Sequence, residues 1–355
     1  RRGLSRDEPE PPRVKESLRI RNLLSSWRSL MYSVAEPFHT PEDCRDYFME
    51  IRNLYFATAV GLCCVTCGQD SSPQGDARIR ATYADSEIVI TTTSRLAGAI
   101  HSLTWGGQEF IDSHDHGRQL QSASNFDAGS DMIGETFNPT EAGSRFDGAG
   151  PKSSRQLLHL IADGNTLQTT SRMAFWLRPG DRSAGHPAKN TTTLSNHLLT
   201  KRVTIGYRGM PNVLQYDVTF SLPVNEQHTY AQFEAVTGYM PQEFNRFYTF
   251  DPSRGNIQPL SDGPGEQANP VILATESGSH AMGIYSPQQP SPGFAQAGYG
   301  RWRFVPQRVV KWNCVFRIRD SNGVAAADYA FRCLVIVGSL DAVVSTMARL
   351  HTDKE

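Results

Sequence analysis

The chain lacks an excess of charge of either sign. Its 35 lysines and arginines face 36 aspartates and glutamates, a net charge of −1. That leaves no bulk electrostatic attraction for a nucleic-acid backbone, and no nucleic-acid partner is expected. A glycine-rich phosphate cradle, a Gly-x-Ser-x-Gly elbow and a dinucleotide fingerprint are all missing, and no cofactor is expected. Nothing repeats at a fixed period. No apolar run approaches the roughly 20 residues a membrane helix needs; the run Leu54–Val65 stops well short. Cysteine is sparse, six in all. Cys63, Cys64 and Cys67 sit in that apolar stretch, Cys44 lies before it, and Cys314 and Cys333 fall on apolar strand faces, so a catalytic thiol is not expected.

Glycine and proline are plentiful, 29 and 21, which favours many turns and hence many strands. Three segments differ in composition. Residues 1–48 are charged, and 14–34 have the apolar spacing of an amphipathic helix. Residues 49–75 have a short polar start with Arg52, the apolar run and a polar exit, the pattern of a secretory leader whose true start would be Met49. Export, whether periplasmic, secreted or lipid-anchored through Cys67, is the expectation. The alternative is an ordinary buried helix or strand. Contact with a membrane is expected only through that leader or anchor.

Residues 76–355 read as short alternating segments: Glu87–Thr92, Ala99–Trp105, Gln108–Asp112, Thr166–Trp176, Thr200–Tyr207, Val213–Leu222, Tyr230–Thr237, Val271–Thr275, Ala281–Tyr285 and Arg301–Val305. Gly106-Gly107 between two apolar runs signals a hairpin. Near the end, Trp312, Cys314, Phe316 and Ile318 alternate with polar residues, as do Tyr329, Phe331, Cys333, Val335 and Val337. With a turn at Asp320–Gly323 these form an expected hairpin with Cys314 opposite Cys333. That register allows a disulfide, or two buried thiols. A helix over Leu340–His351, capped by Ser339, closes the chain. So many strands with almost no helix mean an all-β fold, a large antiparallel sandwich of two sheets. The stretches 113–155 and 177–196 read as long polar loops, where sites concentrate.

The segment SRLAGAIHSLTWGGQEFID (94–112) resembles the opening of the galactose-mutarotase-like supersandwich superfamily, through Gly98, Ala99, Ile100, Ser102, Leu103, Gly107, Gln108, Glu109 and Phe110. The resemblance extends as strand order and length over about residues 80–345. It implies a sheet face that holds a mono- or polysaccharide, without choosing a reaction. The histidine motif of the epimerases has only partial echoes, at Asn196-His197-Leu198-Leu199 and His228-Thr229-Tyr230.

Sugar chemistry needs a proton donor and an acceptor on opposing sides of the ring. The first long loop offers His114, Asp115, His116 and Arg118, then Asp127, Asp131, Glu135, Asn138 and Glu141. We expect His116 with Glu141, Asp115 and Glu234 in acid–base roles, and Arg118, Asn138 and His114 as substrate contacts. In GYGRWRF (298–304), extended backbone puts Arg301 on one side and Trp302 on the other; Arg301, Trp302 and Trp312 are further candidate sugar contacts. Solvated loop acids, an outward strand residue at Glu234 and core-packed tryptophans are the ordinary alternatives. If His114 and His116 were extended they would face one side and with Asp127, Asp131 or Glu141 ligate zinc in a metal-dependent hydrolase. Histidines that only hydrogen-bond at a strand end are the simpler reading, and no metal is assigned. A non-catalytic glycan-binding domain is the remaining alternative.

Overall fold

A computed structural model describes residues 73–353. The candidate helix 14–34 and nearly all of the leader lie outside them. By its internal contacts the chain divides into two units, 1–71 and 72–355, and the second carries all the described strands.

The fold is an all-β antiparallel sandwich. One sheet runs β1 (Ala77–Tyr83), β2 (Ser86–Thr93), β3 (Ala99–Trp105), β5 (Leu120–Phe126), β13 (Tyr230–Pro241), β20 (Val309–Arg319), β19 (Tyr299–Phe304) and β16 (Gly265–Gln267), with the short β4 (Gln108–Glu109) on the end of β3. The other runs β7 (Gln156–Asp163), β8 (Thr166–Phe175), β11 (Leu194–Tyr207), β12 (Met210–Ser221), β21 (Asp328–Gly338), β18 (Ala281–Tyr285), β17 (Val271–Ala274), β14 (Arg246–Asp251) and β15 (Asn256–Pro259). The two-residue β6 (Pro139–Thr140) pairs with β5 and with β8, stitching the sheets together at one side. A small ribbon, β9 (Arg182–Ser183) with β10 (His186–Pro187), stands apart.

Alternation sets the layers. Trp312, Cys314 and Phe316 of β20 and Cys333, Val335 and Val337 of β21 enter the main core between the sheets. Leu334 and Ile336 point the other way, under helix α1 (Leu340–Thr352) with Val343 and Met347. Ser339 caps that helix, its side chain accepting from the Ala342 N–H.

The resembling segment forms a structural clip. Glu109 Oε1 accepts the N–H groups of Leu103, Phe110 and Ile111, and Ser102 donates to its other oxygen. Burial pushes the Glu109 carboxyl up, against those hydrogen bonds. The turn at Gly106-Gly107 has φ of +58° and +78° at its two residues, a backbone that glycine alone adopts without strain. It joins β3 to β4 as the sequence leads one to expect.

Two expectations need correction. The hairpin over 309–338 does not form: β20 pairs with β13 and β19, β21 with β12 and β18, so the two strands lie in different sheets. Alternation identifies a strand's buried face but not its neighbour, and the connection after Arg319 crosses the sandwich. Cys314 and Cys333 therefore meet through the core rather than across a ladder, and both are free thiols. Nor is 113–155 one loop. It contains β5, a central strand buried at every residue despite reading LQSASNF. Its polar groups are satisfied inside: Ser122 Oγ donates to the Ala235 carbonyl at 2.7 Å, and Ser124 Oγ to that of Pro139 at 3.1 Å.

Candidate functional site on the outer face of the first sheet

The outward side chains of β13, β20 and β19 meet in register. Tyr239 lies opposite Lys311 and Lys311 opposite Trp302; Thr237 lies opposite Asn313 and Asn313 opposite Gly300. Glu234 joins this row because of a bulge. The pairing of β13 shifts between Glu234 and Val236, so Ala235 is an extra residue with its side chain in the core. Two residues three apart in a regular strand face opposite ways; the bulge brings Thr237 and Glu234 to one side, and Thr237 Oγ1 donates to Glu234 Oε2 at 2.9 Å. Ser122 holds the bulge from behind through the Ala235 carbonyl.

Around the Glu234 carboxylate stand Lys311 Nζ at 3.3 Å and Asn313 Nδ2 at 3.2 Å. Lys311 is also walled by aromatic rings, 4.8 Å from the centre of Trp302 and 5.2 Å from that of Tyr239. Burial alone would push the Glu234 carboxyl up; the Lys311 charge and the bonds from Asn313 and Thr237 outweigh it and hold the group below its ordinary value. Burial likewise opposes the Lys311 ammonium, but Glu234 and Tyr239 raise it above the usual lysine value. Gly300 lets the Trp302 ring lie back over β19, since a Cβ there would collide with that ring and with Asn313.

A second carboxylate reaches the same region from the neighbouring loop. Glu135, at φ +68°, is tied through its N–H to Asn125 Oδ1 on β5, and its Oε2 accepts from Ser183 Oγ at 2.6 Å. The charges of Arg145, Lys311 and Glu234 all act on it. Here burial wins, helped by the Glu234 charge, and the Glu135 carboxyl is raised despite Ser183, Arg145 and Lys311. Glu234 and Glu135 are thus two carboxyls that feel each other's charge and are displaced in opposite directions.

Of the residues singled out in the sequence, Glu234 and Trp302 stand on this face. Asp115 and Arg118 form an ion pair at 2.8 Å, with Asp112 3.4 Å from the same guanidinium, and both interact electrostatically with Tyr239 at the end of the row. The others lie elsewhere. His116 is fully buried, its Nδ1 2.7 Å from the Gly148 carbonyl and its Nε2 3.0 Å from that of Arg95. His114 is exposed, so the two histidines do not share a side. Glu141 is buried between the sheets with Lys201, Arg155 at 3.2 Å and the Ser122 N–H at 3.0 Å. Asn138 donates to the Ser124 carbonyl. Arg301 donates to Ser261, before β16, and to Gln267 at the end of that strand, and Trp312 packs in the core with its N–H on the Met240 sulfur.

Sequence reasoning does not single out Lys311, Asn313, Tyr239 and Glu135 as a set. The signal for the first three is the polar side of strands whose apolar side is the easier to read. Glu135 is one loop acid among several. Among the described residues no group of three or more histidine, cysteine, aspartate or glutamate side chains is arranged to hold a metal ion. The histidines of the partial epimerase echoes converge instead on one carboxylate, His197 Nε2 2.6 Å and His228 Nε2 3.0 Å from Glu226 Oε2. Two surface hollows of about 300 and 390 Å³ are lined elsewhere, by residues such as Glu243 and Arg308 or Ile257 and Asp341, and neither brings two carboxylates together. No described helix is long and apolar enough to cross a membrane.

No protein-family model and no curated protein matches the sequence. Solved structures do. An α-galactosidase of Lactobacillus brevis matches with a TM-score of 0.41 and 7% identity, over 76% of this chain and 40% of that one. An α-mannosidase of Enterococcus faecalis matches with a TM-score of 0.43 and 11% identity, over 78% and 32%. A Salmonella typhimurium protein whose mutarotase activity is itself a proposal matches with a TM-score of 0.31 and 8% identity, over 73% and 93%. The chain thus spans less than half the length of the two glycosidases. These likenesses are of fold alone.

Proposed function

We propose that this protein is a carbohydrate-active enzyme that works on the outer face of its first sheet, with Glu234 as the ionised carboxylate and Glu135 as the proton donor. What supports the reading is a pair of carboxyls that act on each other electrostatically, one held down by Lys311, the other pushed up by burial. Groups displaced in opposite directions are what an acid and a base working at one pH require. Trp302 offers a flat apolar surface for a pyranose, while Asn313, Tyr239 and the Arg118–Asp115 pair supply donors and acceptors for hydroxyls. His116, locked on two carbonyls, serves in this reading to hold the loop rather than to transfer protons. The reaction is of hydrolase, lyase or epimerase type. Export through residues 49–75 belongs to the same proposal.

The test is a panel of glycans assayed for both binding and product release, with wild type, Glu234→Gln and Glu135→Gln. Loss of turnover by about 10²- to 10⁴-fold with binding kept supports the assignment, because that is the usual worth of a positioned acid or base. Binding without turnover in the wild type on every glycan points to a lectin-like domain. Turnover unaffected by either substitution removes the acid–base pair.

A further inference from the structure

Cations around the face differ in how they are partnered. Lys311 is matched by Glu234, Arg118 by Asp115 and Asp112, and Arg317 by both oxygens of Glu266 at 2.7 and 2.8 Å. The loops beside Glu135 are different. Arg145 Nη1 donates to a carbonyl, that of Arg182, at 3.3 Å. Arg182 donates to the Gly185 carbonyl through Nε at 3.2 Å and Nη2 at 2.7 Å. Arg178 has a carboxylate, Asp181, at 3.7 Å from its Nε, but the same oxygen already takes the Arg178 backbone N–H at 2.9 Å. The nearby Asp147 carboxylate is turned inward, its Oδ2 accepting from the N–H groups of Ser144 and Ser154 and from the Ser153 and Ser154 hydroxyls. The guanidinium groups of Arg145 and Arg178 thus meet at Phe146 with only the distant Asp181 contact as a carboxylate partner.

They are also held in place. The Phe146 ring, 48% exposed, has the Arg178 guanidinium carbon 3.5 Å from its centre and that of Arg145 at 5.1 Å. A guanidinium stacked on an aromatic face keeps its N–H edge available, and less side-chain freedom is lost when it then binds. That edge matches the planar oxygens of a carboxylate or a sulfate. The cluster adjoins the proposed acid: Ser183, next to Arg182, donates to Glu135 at 2.6 Å, and the Arg145 charge acts on Glu135.

We propose that the substrate is an anionic saccharide, and that Arg145 and Arg178, braced on Phe146, grip a carboxylate or sulfate carried next to the reacting sugar. This rests on the reading of the outer face as a sugar site. The shared chemistry is a fixed anion with two or more coplanar or equivalent oxygens.

The experiment uses two matched pairs of polymers and the full chain: dextran sulfate with dextran, and polygalacturonate with its methyl ester. Affinity is measured calorimetrically for wild type, Arg145→Gln, Arg178→Gln and Glu234→Gln. The expected result is a preference of about tenfold or more for the anionic member of one pair, the scale of one charge-assisted hydrogen bond. That preference falls by about the same factor in Arg145→Gln and Arg178→Gln and shrinks as salt rises. Which pair shows it separates a sulfate from a carboxylate. Glu234→Gln, which takes a negative charge off the same face, does not weaken it. Equal affinity within both pairs, or a preference that survives both arginine substitutions, overturns the inference while leaving the sugar site standing. Binding of no glycan at all removes the site and this inference together. Should Arg145→Gln melt early, the half-exposed Arg178 carries the same test.

Discussion

Lys311 acts on both carboxyls, Glu234 and Glu135. Its charge lowers Glu234 directly and also lowers Glu135, against the burial that raises each. If Glu234 must be ionised and Glu135 protonated, activity rises with pH through the Glu234 value, which lies below the ordinary carboxylate range. It falls with pH through the Glu135 value, which lies above that range. Replacing Lys311 by Met removes the attraction and leaves the burial, so both limbs of the pH–rate profile move to higher pH, the acid limb most because its ion pair at 3.3 Å is gone. A profile of kcat/KM across pH for wild type and Lys311→Met checks this; an acid limb that stays put means Glu234 is not the ionised group. Only part of this site is legible in the sequence. Glu234 stands out because it sits on a polar strand side beside Phe233. Glu135 does not, because nothing in the run ETFNPTEAGSRFDG tells which acid turns inward to a salt bridge and which turns toward the face.

Among the elements, β5 and the segment around β6 explain why the richest polar stretch holds the core together instead of forming the site. Composition makes LQSASNF look like a loop, yet it is the strand between β3 and β13. Its serines bond to carbonyls and to the Tyr216 hydroxyl, 2.9 Å from Ser122. Glu141, just after β6, is buried with two cations, Lys201 and Arg155; burial pushes both of these down while Glu141 supports their charge. Arg155 has further acceptors in the Leu96 and Ala97 carbonyls and Ser171. Removing the one carboxylate leaves two buried positive charges without compensation. Glu141→Gln is therefore expected to cost about 3 to 5 kcal/mol of folding stability, whereas an exposed carboxylate such as Glu276 costs little. Urea denaturation of the two variants decides it, and equal midpoints would mean that Glu141 contributes no more than a surface acid. Strand positions and faces are legible from alternation, because burial on one side imposes it. Partners are not, and β20 with β21 shows why: the same alternation fits a hairpin and two strands facing each other through a core.

At the scale of the molecule, the sandwich begins where the leader pattern ends. The backbone of Gly75 is already fastened, its N–H on Ser94 Oγ at 2.9 Å and its carbonyl on Thr92 Oγ1 at 2.7 Å, and β1 starts at Ala77. The chain's two units divide between Ser71 and Ser72. A cut before Gly75 therefore removes none of the described strands and breaks none of these ties. The two core thiols suit an oxidising compartment as well as a reducing one: both are fully buried, and burial pushes the Cys333 thiol well above its ordinary value. The proposal of export therefore carries a specific expectation, cleavage in this short window. Expression of the full chain in a secreting host, followed by mass spectrometry of the N-terminal peptide in the exported and cytoplasmic fractions, tests it. An exported species starting between the end of the apolar run at Val65 and Gly75 fits. A cytoplasmic protein that keeps residues 1–60 excludes a cleaved leader, and the apolar stretch must then be an element of the first unit.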